Sequence, residues 1–142
     1  MDRTDLLERL RAGASTAFDG TNVVFAYLIG SVARGQMHAR SDIDIAVYLD
    51  PPPIAQRTVD EQLALTARLR HATGLQTEIV VLNGASLPFA GRAISERIVI
   101  FSRDEPARVS YESCTHREFL DFQIHAERLD RDLLRRIAEG TR

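Results

Sequence analysis

A single cysteine, Cys114, stands in the 142-residue chain, so neither a disulfide framework nor a cysteine-built zinc site is available. A lone thiol of this kind reads as a buried, inert packing residue. Long hydrophobic runs are missing as well: no stretch approaches the roughly 18 apolar residues of a membrane span. The opening MDRTDLLERLRAG is charged and lacks the apolar centre of a signal peptide, which points to a cytoplasmic protein. There is no excess of positive charge. The formal net charge of −2 argues against a surface that coats nucleic acid, although it leaves a local basic patch open. Internal repeats and low-complexity tracts are likewise absent. What is there, 44% hydrophobic and 27% charged residues, matches an ordinary soluble domain able to bury a core. One domain over residues 1–142 is expected, with a core at about 20–102 and a helical segment at about 104–139.

Asp2 to Ala12 reads as a short helix with Leu6, Leu7 and Leu10 on one side, and Gly13 and Asp19-Gly20 as loop markers. Val23 to Ile29 is a continuous apolar run of strand length, as in a strand covered on both faces. Gly30 ends it, and Ser31 is a good N-cap for a short helix over Val32 to Gln36. Ile43 to Leu49 predicts a second strand, with Ile43, Ile45, Val47 and Leu49 on one face and Asp42, Asp44 and Ala46 on the other. Pro51-Pro52-Pro53 forms a stiff elbow. Val59, Leu63, Thr66 and Leu69 recur at helical spacing, and Gly74 closes that helix. Gln76 to Leu82 predicts a third strand carrying Glu78, followed by an Asn83-Gly84 turn, a short helix near Ala90 to Arg97, and a strand at Ile98 to Phe101. Helix follows from Asp104, where Phe119, Phe122, Ala126, Leu129, Leu133 and Ile137 form an apolar stripe most simply read as core, with Tyr111 as a packing residue. Strands alternating with helices give an α/β or α+β layer fold.

Carboxylates in a strand are costly to bury unpaired, so Asp42 and Asp44 ask for a reason. Taken singly, each element has an ordinary reading. Gly30-Ser31 is a common turn, Asp-x-Asp pairs often cap turns, Glu78 suits a solvated strand face, and Arg34 and Arg40 suit a plain surface. Together they make chemistry. Gly30 lets another molecule approach the main chain, and the amides of a following helix start favour phosphate, with Arg34 and Arg40 as cationic contacts. Two hard carboxylates on one strand face suit Mg²⁺, and Glu78 supplies a third oxygen ligand if its strand lies alongside. A phosphate cradle beside carboxylate-bound metal is what attack at a nucleotide's phosphorus requires. His38, His116 and His125 lack zinc spacing and read as solvated or helical residues.

The stretch GSVARGQMHARSDIDIAV resembles the Gly-Ser-x₁₀-Asp-x-Asp signature of the DNA polymerase β-like nucleotidyltransferases. Its Gly-Ser-x-Ala-Arg-Gly form and small size are similar to the minimal nucleotidyltransferase (MNT) domains, the antitoxin halves of HEPN/MNT toxin–antitoxin pairs. The resemblance implies a small mixed β-sheet flanked by helices. It implies Gly30 and Ser31 on the triphosphate, and Asp42 and Asp44 holding two Mg²⁺ ions between ATP and an attacking hydroxyl. Glu78, in TEIVVLN, stands where the family usually has aspartate, keeping the charge on a longer side chain. The activity implied is transfer of AMP from ATP to a tyrosine of a HEPN ribonuclease partner. HEPN toxins carry Arg-x₄₋₆-His, and neither His116 nor His125 has an arginine at that distance upstream, so the likeness is to the antitoxin half. Neutralisation by binding alone, and transfer to a small-molecule hydroxyl, are the competing functions.

Overall fold

The computed structural model describes residues 1–36 and 42–140. Helix α1 (Arg3–Ala17) starts where the Asp2 carboxylate accepts the Thr4 N–H at 3.1 Å, and it buries Leu6, Leu10, Ala14 and Ala17. It runs five residues beyond the expected end at Ala12 because Gly13 is an interior packing position: a Cβ there would meet Thr73 Cγ2 at 2.2 Å. Gly13 therefore lets α1 lie close to α3 (Thr58–Thr73).

Strands β1 (Val23–Ile29), β2 (Ile43–Leu49), β3 (Thr77–Val81) and β4 (Ile98–Ser102) form one sheet in the order β3-β2-β1-β4. The β1–β2 and β1–β4 pairs are antiparallel, whereas β2–β3 is parallel, so the sheet is mixed. Every residue of β1 is buried, as its unbroken apolar run requires. One sheet face packs Ile43, Ile45, Val47, Leu49 and Ile79 against α1 and α3. The other packs Phe25, Tyr27, Ile29 and Ala46 under α4 (Leu87–Glu96) and the start of α5 (Glu105–Gly140). On this second face Phe25 and Tyr48 stack with centroids 5.0 Å apart, and Tyr111 leans on both rings, the packing role expected of it.

Helix α3 departs from its expected stripe. Val59 and Leu63 are exposed, while Leu65, Leu69 and Thr73 face the core. Two polar side chains on the inner side explain the shift: Thr66 Oγ1 and Gln62 Oε1 accept the Ile79 and Val81 N–H groups, each at 3.2 Å. These are outward-facing amides of the edge strand β3, so α3 caps a sheet edge as well as covering a face.

Helix α5 overturns two expectations. It is one rod of 36 residues, about 54 Å long at 1.5 Å per residue. Its first turns dock on the domain through Tyr111, Glu112, Thr115 and Phe119; a Cβ on Gly91 would meet the Phe119 ring at 2.2 Å. Beyond that the stripe is not core: Phe122, Leu129, Leu133 and Ile137 are 42%, 54%, 57% and 54% exposed, because the helix outruns the sheet it packs on. Cys114, expected to be buried, is exposed, its Sγ 3.6 Å from Glu118 Oε1. Among the described residues no helix is long and apolar enough to cross a membrane.

Candidate active site

The parallel β2–β3 pairing sets Asp44 directly opposite Glu78, and the antiparallel β1–β2 pairing sets Asp44 opposite Ile29, the last residue of β1. Residues paired across neighbouring strands share a sheet face, so Asp44, Glu78 and the Gly30 turn meet at one corner. Asp42 enters from the same side, one residue before β2 and exposed; Glu78 is exposed too, and Asp44 is half-buried.

Gly30 has φ of +79°, a conformation other residues adopt only under strain. Its Cα also lies against the acid: a Cβ would stand 2.7 Å from Asp44 Oδ2. Glycine is required here twice over. The short helix α2 (Gly30–Ala33) begins two residues earlier than expected, with Ile29 at the N-cap position and no side-chain cap. Ser31 is therefore not the N-cap but a first-turn residue, and its carbonyl accepts the Gln36 N–H at 2.8 Å.

A fourth acid joins this corner. Glu96, the last residue of α4, accepts the Gly30 N–H on Oε1 at 3.2 Å and an Arg34 N–H on Oε2 at 2.5 Å. Sequence reasoning missed it, because nothing in the run ISERIVI marks one acid among many; only the packing of α4 beside α2 brings it here. Arg34, expected to stand ready for phosphate, is half-exposed and engaged by that carboxylate. Arg40 and His38 lie outside the described residues.

Charge crowding is the dominant electrostatic feature. Burial, followed by the carboxylates of Glu78, Asp42 and Glu96, pushes the Asp44 carboxyl above its ordinary range. An acid raised in the folded state makes stability fall as pH climbs through that raised value, since the unfolded chain releases the proton first. Without divalent cations, Asp44→Asn should therefore raise the melting temperature near neutral pH and flatten its decline as pH rises above the ordinary carboxylate range. Calorimetry between pH 4 and pH 8 checks this, and an unchanged pH profile would refute it.

Among the described residues no three acidic, histidine or cysteine side chains stand close enough together to hold a metal unaided. The donor set nevertheless suits a hard cation. Asp42 and Asp44 offer oxygen ligands from one strand face, and a bound divalent ion would relieve the repulsion around Asp44.

Comparison with known proteins agrees with this geometry. A family model described as polymerase beta, nucleotidyltransferase, matches residues 14–106, from within α1 to the start of α5. No curated protein matches the chain. Among solved structures, a chain from a toxin–antitoxin crystal structure with AMP-PNP aligns over 94% of this chain and 99% of its own, at 19% identity and a TM-score of 0.63. A chain from the tri-AMPylated Shewanella oneidensis HEPN toxin in complex with MNT antitoxin aligns over 93% and 95%, at 17% identity and a TM-score of 0.56. One described as a minimal nucleotidyltransferase aligns over 69% and 95%, at 28% identity and a TM-score of 0.55. At such identities the structural likeness speaks for the fold, and the family match covers well over half of the sequence. The chain belongs to the polymerase β nucleotidyltransferase family.

Proposed function

We propose that this chain is the antitoxin of a toxin–antitoxin pair and transfers AMP from ATP to a tyrosine hydroxyl on a HEPN-type ribonuclease partner. The observation that carries the reading is the corner where Asp44, Glu78 and Gly30 converge, within a chain of the nucleotidyltransferase family. Asp42 and Asp44 would hold Mg²⁺, in two ions by family resemblance, leaving the rest of each shell to water and ATP phosphate. Bound there, the metal would lower the pKa of the attacking hydroxyl and offset charge on the phosphate oxygens. Gly30 and Ser31 would face the triphosphate. In the transfer, the tyrosine oxygen bonds to the α-phosphorus, the bond to the bridging oxygen of pyrophosphate breaks, and the tyrosine proton passes to a base. Glu78, exposed and in register with Asp44, is placed to accept it or to orient the hydroxyl.

The structural likeness to chains from toxin–antitoxin complexes, one of them between a HEPN toxin and an MNT antitoxin, supports a toxin as the acceptor. The uncovered stripe on α5 supports a protein rather than a small molecule, since Phe122, Leu129, Leu133 and Ile137 offer an apolar face for docking. The test is direct. Mixed with the HEPN-type protein encoded beside it, ATP and Mg²⁺, the chain should add AMP masses to tyrosine of that partner. Binding without any mass change would refute the transfer and leave neutralisation by association, for which the same stripe suffices.

A further inference from the structure

We propose that Glu96 acts as a built-in occupant of the nucleotide's anion seat, which ATP must displace, so that this residue sets nucleotide affinity. The inference rests on the triphosphate facing Gly30 as proposed above, with Arg34 as its cationic contact.

Glu96 stands at the end of α4, with its side chain 23% exposed and turned inward to α2. One carboxylate oxygen takes the Gly30 N–H and the other takes Arg34. These are two of the donors that a triphosphate would use in this corner. A backbone N–H serves one acceptor well at a time, and the Gly30 amide already has one. The seat thus demonstrably accepts an oxyanion, and the oxyanion it holds belongs to the protein itself.

The charge count favours displacement over sharing. Asp42, Asp44 and Glu78 already make the corner acidic, and Glu96 adds a fourth negative group within electrostatic reach of Asp44. An incoming triphosphate would meet Glu96 as a like charge and as a competitor for Arg34. The residue fits that role mechanically, since it is the final residue of its helix and its side chain is partly exposed. Glu96 and Arg34 themselves line a cavity with Ile29, Phe89, Arg92 and Ser95, which gives the carboxylate open space beside its present partners.

The experiment is a comparison of wild type with Glu96→Gln, in transfer to the partner and in calorimetric binding of AMP-PNP with Mg²⁺. Removing the charge should lower KM for ATP and the Kd for AMP-PNP roughly fivefold, the scale of one partly exposed ion pair, since glutamine still accepts the Gly30 N–H. The turnover number should change little. A Glu96 that merely positions Gly30 and Arg34 gives the reverse, a higher KM and weaker binding, and overturns the proposal, as would unchanged values. In an Arg34→Ala background the gain should shrink, because half of what Glu96 occupies is gone. If Glu96→Gln fails to fold, the Glu96 side-chain carboxyl ¹³C resonance of the wild type decides. It must shift on titration with AMP-PNP, and a static resonance refutes displacement. Wild type that binds AMP-PNP yet modifies no partner would sink the proposed function while leaving the Glu96 result readable.

Discussion

Asp44→Asn should reduce AMP transfer by about three orders of magnitude, the equivalent of roughly 4 kcal/mol in the barrier. Asp44 is the hub of its corner: it pairs in register with Glu78, touches Gly30 and carries the repulsion of three neighbouring carboxylates. Asparagine keeps its shape and removes the charge that would draw a divalent cation. Because the same change relieves repulsion in the metal-free fold, activity should collapse while the melting temperature holds or rises. Those two readings together separate lost chemistry from lost structure. Transfer within tenfold of wild type would show that the acid corner is not the catalytic centre. The Asp42→Asn/Asp44→Asn double variant, assayed for neutralisation of the proposed HEPN-type partner, separates transfer chemistry from association alone.

The largest effect on stability should come from Glu112→Ala. Glu112 is a buried acid in α5 that accepts the Tyr27 hydroxyl at 2.8 Å, pairs with Arg97 at 2.5 Å and is bound closely by Arg108. Burial and this acid push the Tyr27 hydroxyl well above the ordinary range, so the phenol stays protonated as a donor throughout physiological pH. Removing Glu112 strands the buried Tyr27 hydroxyl and takes the carboxylate partner from Arg97, while Arg108 keeps only Glu105. A loss of about 3 kcal/mol is expected, or roughly 10 °C in melting temperature for a domain of this size. Denaturant titration measures it, and a loss under about 0.5 kcal/mol, the range of an ordinary surface change, would mean that water replaces these contacts. Tyr27→Phe, which leaves the ion pairs intact, should cost about 1 kcal/mol.

Where sequence and structure agree, the signal was local. β1 and β2 begin and end at the residues expected, because a β-branched run bounded by Gly30 and an alternating run bounded by Pro51 each leave one geometry available. The acid corner was legible for the same reason: Asp42 and Asp44 break a hydrophobic pattern, and Glu78 breaks the next. Its parallel register, which makes Glu78 the partner of Asp44, is encoded by no local pattern.

The departures share one cause, which is that burial depends on what stands opposite. Gly13 reads as a helix breaker until Thr73 is seen against it. Val59 and Leu63 satisfy helical spacing yet lie outside, because Gln62 and Thr66 are needed to cap the edge of β3. Ser31 looks like a cap, but the positive φ of Gly30 already turns the chain into α2. Glu96 became visible only through the packing of α4, far along the sequence from the motif it joins. The stripe on α5 has core composition without a core to enter, since the sheet ends before the helix does.

That overhang makes the molecule mechanically uneven. Amides in the distal turns of α5 are protected from solvent only by the helix's own ladder, whereas those of β1 open only when the whole sheet comes apart. Hydrogen exchange along this one rod should accordingly slow by orders of magnitude from its tip to its root, turning the terminal helix into a ruler on which any bound protein writes its footprint as newly slowed amides.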